Sequence, residues 1–199
     1  MIELSLFFKE LIFPVFCNKD LYWTAFYLKI DETVALFTAW HVLRDAQDIT
    51  VLNIDHTNWM AFKIPIQRKH IVENCDIGFM ESTLEVNLTE WFILNTSTPT
   101  IWSECWMAGF QGSSYLDWKA SLKLYRYDWI IEAIHPVWTW VIKNLCYECS
   151  YHWEQWSSGG PVFNKENEII GIHSGGFKWI EWASFMTPFY EFIRKDKRK

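Results

Sequence analysis

Short apolar runs, rich in aromatic and β-branched residues, follow one another along this chain and are broken by polar clusters. Runs of that length and make-up are the mark of strands in a sandwich or barrel. The pattern predicts strands over Tyr22–Ile30, Val34–Thr38, Ile49–Ile54, Met60–Ile66 and Ile77–Met80. A second set follows over Glu104–Phe110, Ser121–Tyr127, Trp129–Ile134, Trp138–Cys146, Pro161–Phe163, Glu168–Ser174 and Ala183–Thr187. Asp31-Glu32 and Asn164-Lys165-Glu166-Asn167 read as hairpin turns between apolar runs. A short helical turn is expected at His41–Ala46. A helix is expected at the end, with Thr187 as its cap, Pro188 at its first position and Phe189, Phe192 and Ile193 on one face. The polar stretch Asn95-Thr96-Ser97-Thr98-Pro99-Thr100 divides the chain near its middle. Two small β-barrels, over residues 1–94 and 95–199, followed by a helix, make the simplest architecture that fits.

Half of the 199 residues are apolar, enough to bury a sizeable core. The net charge of -6 disfavours a dedicated nucleic-acid binder, which carries a basic face. The basic run from Arg194 to Lys199 reads as a solvated tail. Glu3, Lys9 and Glu10 interrupt the apolar start, so a secretory signal is not expected. No apolar run approaches the roughly 18 residues of a membrane span. The expectation is therefore a chain that is not exported and works in a cytoplasm, bacterial or that of an infected host cell. Five scattered cysteines do not form a disulfide framework and fit a reducing compartment. Cys146-x-x-Cys149-x-x-His152, with Cys105, has some zinc-like spacing, but a structural site needs four ligands and the expected reading is buried free thiols and no metal.

The chemistry-bearing residues fall in the order His, Asp, Ser. Trp156-Ser157-Ser158-Gly159-Gly160-Pro161-Val162 places a serine before two glycines and a strand. Such glycines let the backbone turn tightly and approach a ligand. A serine hydroxyl needs a base to become a nucleophile. His41 follows the apolar run Val34–Ala39, and Asp76 opens the buried run Asp76-Ile77-Gly78-Phe79-Met80. A base needs a carboxylate or amide to orient it. Singly, each residue also reads as ordinary: a loop serine, a structural histidine, a strand-capping aspartate.

Taken together, the blocks Phe37-Thr38-Ala39-Trp40-His41-Val42-Leu43, Cys75-Asp76-Ile77-Gly78-Phe79, Ala108-Gly109-Phe110, Ser158-Gly159-Gly160-Pro161-Val162-Phe163-Asn164 and Ile169-Ile170-Gly171-Ile172-His173-Ser174-Gly175-Gly176 resemble those of the chymotrypsin-fold, trypsin-like serine peptidases. In style they are similar to the short bacterial members and to the main (3C-like) proteases of positive-strand RNA viruses. The resemblance implies an all-β fold of two six-stranded antiparallel β-barrels with a C-terminal helix. It implies a serine endopeptidase with a Ser158–His41–Asp76 triad working through an acyl-enzyme on a peptide or polyprotein, with no cofactor. It implies an oxyanion hole from the backbone N–H groups of Ser158 and Trp156. His173 and His152 would line the pocket for the residue before the cut, suiting Gln or Glu. Ser174, Gly175 and Gly176 would pair with the extended substrate. Two departures stand out. Trp156 replaces a glycine of the family's motif, and Ser157 replaces an aspartate that pairs with a newly cut N-terminus in zymogen-activated members. Trp156 is the feature that favours the alternative reading, a catalytically weak module of the same fold that binds peptides or a partner protein.

Overall fold

The structure, a computed structural model, describes residues 4–18, 21–31, 33–44, 46–55, 60–72, 75–83, 90–110, 124–138, 143–152, 158–176 and 183–196. Seven strands form the first sheet: β1 (Ile12–Cys17), β2 (Leu21–Ile30), β3 (Thr33–Thr38), β4 (Ile49–Asp55), β5 (Met60–Ile64), β6 (Ile66–Val72) and β7 (Ile77–Ser82). Their order is β5-β4-β1-β2-β3-β7-β6. The outermost strands, β5 and β6, are separated in sequence by Pro65 alone. The sheet must therefore curl until its two edges meet at that residue. Six further strands close into a ring in the order β10-β13-β12-β11-β8-β9. They are β8 (Glu104–Phe110), β9 (Leu124–Trp138), β10 (Lys143–His152), β11 (Pro161–Asn164), β12 (Ile169–Gly176) and β13 (Ala183–Pro188). Helices α1 (Leu6–Leu11), α2 (Trp40–Arg44) and α3 (Phe189–Asp196) accompany them. The all-β, chymotrypsin-like architecture expected from the sequence is the observed one, with the first barrel built as a curled sheet of seven strands.

Both hairpin turns form where expected. Ile30 pairs with Thr33, and Asp31 takes the left-handed conformation at φ 52° that such a tight turn requires. Asn164 and Asn167 close the other, with Asn167 at φ 64° and the Asn164 side chain accepting from the Glu166 and Glu168 amides.

Several boundaries differ, and proline explains three of them. β1 is not among the strands expected from the sequence, and Pro14 interrupts its apolar run. Pro14 pairs with Thr24 of β2, but the β1–β4 pairing begins only at Val15, so its missing N–H falls where no second partner waits. Pro65 splits one expected strand into β5 and β6. Pro136 lies inside the long β9, whose first half pairs with β8 and second half with β10, again leaving one side of the proline without a ladder. Asp128 does not break β9 either, since its side chain is exposed and bonded to Arg126 Nη2 at 2.8 Å. Thr187 is a strand residue and not a helix cap. It is fully buried, and its hydroxyl meets that of Ser174 at 2.6 Å.

The larger apolar cluster runs across both sheets, from Phe26, Leu36 and Phe37 to Trp106, Phe163 and Phe189. The helices at the two ends exchange sides. Phe8 of α1 packs edge-on against Trp106 and Phe163 of the second ring, with centroids 5.1 and 5.4 Å away. Phe189 and Phe192 of α3 pack against Phe37 of the first sheet at 5.6 and 6.1 Å.

Candidate functional site

His41 lies in the first turn of α2, which starts one residue after the fully buried Ala39 that follows β3. Its backbone N–H donates to Asp76 Oδ1 at 3.0 Å, and its ring Nδ1 lies 3.0 Å from Oδ1 and 2.8 Å from Oδ2 of the same carboxylate. Asp76 has no exposed surface, whereas the His41 side chain is 19% exposed. A buried carboxylate needs hydrogen-bonded partners to tolerate its charge, and His41 supplies them from both backbone and ring. The far end of α2 is also fastened. The Lys69 ammonium donates to the carbonyls of Leu43 (3.0 Å) and Ala46 (2.7 Å), and the Cys17 thiol donates to that of Val42 (3.4 Å).

Ser158 stands in the turn before β11 and is buried. Three hydrogen bonds fix the backbone of this turn, Ser158–Gly160. The Thr24 amide donates to the Ser158 carbonyl at 3.0 Å, the Gly159 amide to the His173 carbonyl at 2.8 Å, and the His173 amide to the Gly160 carbonyl at 2.9 Å. Thr24 joins the two sheets. Its carbonyl accepts from the Thr38 hydroxyl at 2.7 Å, and its own hydroxyl accepts from the Phe110 amide at 3.0 Å. Gly159 sits at φ 88°, and a Cβ there would lie 2.2 Å from the Thr24 carbonyl oxygen and 3.1 Å from the Ala39 nitrogen. Only a residue without a side chain lets the serine turn close onto the segment that leads into His41.

Gly175, at φ 96°, places its α-carbon so that a Cβ would meet Ser158 Oγ at 3.1 Å. The strand edge Ser174–Gly176 thus runs beside the hydroxyl. His173 is 1% exposed, and its ring meets that of Trp129 edge-on at 5.3 Å. His41 and Asp76 are in direct contact, while Ser158, His173, Ser174 and Gly175 gather around one turn and one strand. His152 is described only as a β10 position opposite Ala183, and Trp156 lies outside the described residues.

The cysteines are free thiols and do not gather into one cluster. The Cys146 thiol is 3.9 Å from the Thr187 hydroxyl, and burial pushes its pKa up to about 12. A hydrogen bond with the free thiol of Cys105, together with burial, holds the Cys149 pKa well above the usual thiol value. Among the described residues no group of three or more His, Cys, Asp or Glu gathers as a metal ion would need.

Thr24 belongs to none of the sequence motifs that mark the site. A signal was present: Thr24 shares the inward face of β2 with Phe26 and Leu28, which makes it a polar residue aimed into a core.

A family model described as the trypsin-like peptidase domain matches residues 24–172, a span that holds His41, Asp76 and Ser158. Many solved structures share the fold. The active form of the Rv3671c protease from M. tuberculosis is similar at TM-score 0.73 and 14% identity, over 95% of this chain and 80% of that one. The MamO protease domain from Magnetospirillum magneticum is similar at 0.67 and 12%, over 94% and 96%. The serine endoprotease from Yersinia pestis is similar at 0.67 and 17%, over 100% and 67%. A search of curated proteins by sequence found no match.

Proposed function

Because the chain belongs to the trypsin-like peptidase family, we propose that it is a serine endopeptidase in which Ser158, His41 and Asp76 act as a triad through an acyl-enzyme. The observation that carries this reading is the His41–Asp76 pair. A ring Nδ1–H donated to a fully buried carboxylate leaves Nε2 as the base. In the proposed reaction Ser158 Oγ attacks the peptide carbonyl as His41 Nε2 takes its proton. His41 then returns that proton to the leaving amine. Water, deprotonated by the same nitrogen, releases the acid product. Asp76 stays ionised and stabilises the imidazolium that forms in each step. The amides of Ser158 and Trp156 are the proposed donors to the oxyanion.

The same reading assigns the edge Ser174–Gly176 to the substrate backbone and His173, with His152, to the pocket for the residue before the cut. The proximity of His173 to the Ser158 turn supports this, since both its backbone groups bond Gly159 or Gly160. An imidazole there would hydrogen-bond a Gln or Glu side chain.

The test is intact-mass analysis after treatment with a fluorophosphonate probe, on wild type and Ser158→Ala. One adduct on wild type alone is expected, followed by faster cleavage of library peptides with Gln or Glu before the cut. A folded wild type that takes no adduct overturns the peptidase reading. Flat library cleavage overturns the preference.

A further inference from the structure

Trp23 and Thr24 are consecutive residues of β2, so their side chains leave opposite faces of the sheet. Thr24 is fully buried and holds the Ser158 backbone. Trp23 is partly buried, and its ring stands edge-on to that of His41, with centroids 5.5 Å apart and planes at 79°. One dipeptide thus touches both halves of the site: the backbone of the nucleophile through residue 24, and the ring of the base through residue 23. Its own position is fixed, because Val15 of β1 pairs with Trp23 and three hydrogen bonds converge on Thr24.

We infer that Trp23 is a positioning residue for His41. The inference rests on the peptidase reading of His41 and Ser158. An imidazole bonded to Asp76 at Nδ1 can still leave that bond by changing rotamer, since a side chain has more than one staggered well open to it. An aromatic ring pressed against it at right angles favours the bonded orientation and restricts the others. Edge-to-face pairs of this kind are specific in geometry, so bulk alone is not an equivalent. Trp23 therefore acts on the fraction of time that Nε2 is presented to Ser158, and not on substrate affinity.

Trp23→Leu keeps apolar bulk without a ring, and Trp23→Phe keeps a ring. With the fluorophosphonate probe, Trp23→Leu is expected to lower the maximal inactivation rate by about two- to tenfold at unchanged probe affinity, in keeping with the strength of such ring pairs. Trp23→Phe is expected to recover most of that loss. The downfield proton resonance of His41 Nδ1–H, read in Ser158→Ala, is expected to weaken in the Leu variant and persist in the Phe variant. In the chain with Trp23 intact, nuclear Overhauser contacts between the Trp23 and His41 rings are expected. A Trp23→Leu protein with wild-type inactivation rate and resonance overturns the inference. So does the absence of the ring-to-ring contacts, a readout that stands even if the Leu variant does not fold. A wild type that takes no probe overturns the peptidase reading instead, while the resonance and the ring contacts still decide the role of Trp23.

Discussion

The amide of Thr24, in the first sheet, donates to the carbonyl of Ser158, at the rim of the second ring, at 3.0 Å. The serine is therefore held in place by the half of the molecule that carries His41. Thr24→Val keeps the shape and the backbone bond but removes the hydroxyl that accepts the buried Phe110 amide. An orphaned buried donor costs about 1–3 kcal/mol. A fall in urea stability of that size is expected, together with slower probe labelling. An unchanged urea midpoint would show that the Phe110 bond does not matter.

Gly175→Ala acts on the hydroxyl itself. The new Cβ would lie 3.1 Å from Ser158 Oγ, on a backbone at φ 96° that alanine adopts with strain. The left-handed conformation costs a residue with a Cβ about 1–2 kcal/mol. A modest drop in melting temperature and a larger drop in labelling rate are expected. Equal labelling of variant and wild type would mean that Ser158 Oγ does not work beside Gly175.

Asp76→Asn tests what the carboxylate does for His41. An amide in that position can donate to Nδ1 and fix the wrong tautomer. In triads this change lowers turnover by about four orders of magnitude. The expected result is near-complete loss of labelling with the far-ultraviolet circular dichroism retained. A labelling rate within a few-fold of wild type would remove Asp76 from the triad.

Glu168 gives a pH dependence with a defined sign. The Asn95 and Asn164 side-chain amides donate to Glu168 Oε2 at 2.6 and 2.8 Å, and both bonds hold its carboxyl below the usual glutamate value. Because they favour the ionised form, their stabilisation is fully present above the unfolded-chain value of about 4.3 and is lost as the pH falls through the lower folded value. The difference in denaturation midpoint between wild type and Glu168→Gln is expected to be steady near neutrality and to shrink in acid below about pH 4.3. A difference that does not change with pH would show that the two asparagines do not hold the charge.

Much of this was legible in the sequence because it is local. The apolar run Glu104–Phe110 is a strand with the expected limits, and Asp31 and Asn167 stand where the turns need left-handed residues. What stayed hidden depends on partners far along the chain. Whether Pro14 and Pro136 are tolerated in strands is decided by which side carries a ladder, and the sequence does not show that. Thr187 looks like a helix cap until Ser174, 13 residues away, takes its hydroxyl. The candidate site divides in the same way. His41, Asp76 and Ser158 were visible as motifs in order. The roles of Thr24, Trp23 and Lys69 arise from contacts between separate strands and left only the faint trace of a threonine in an apolar run.

The exchange of end helices also bears on when the molecule can fold. Synthesis delivers β1 to β7 first, yet Phe37 and Phe79 of that sheet are covered by Phe192, and Phe26 and Phe37 by Phe189. A ribosome that has made the first sheet has made a surface whose aromatic rings still face water. Those rings are covered only when residues more than a hundred positions later have emerged and come back, so the last helix completes the burial of the first sheet.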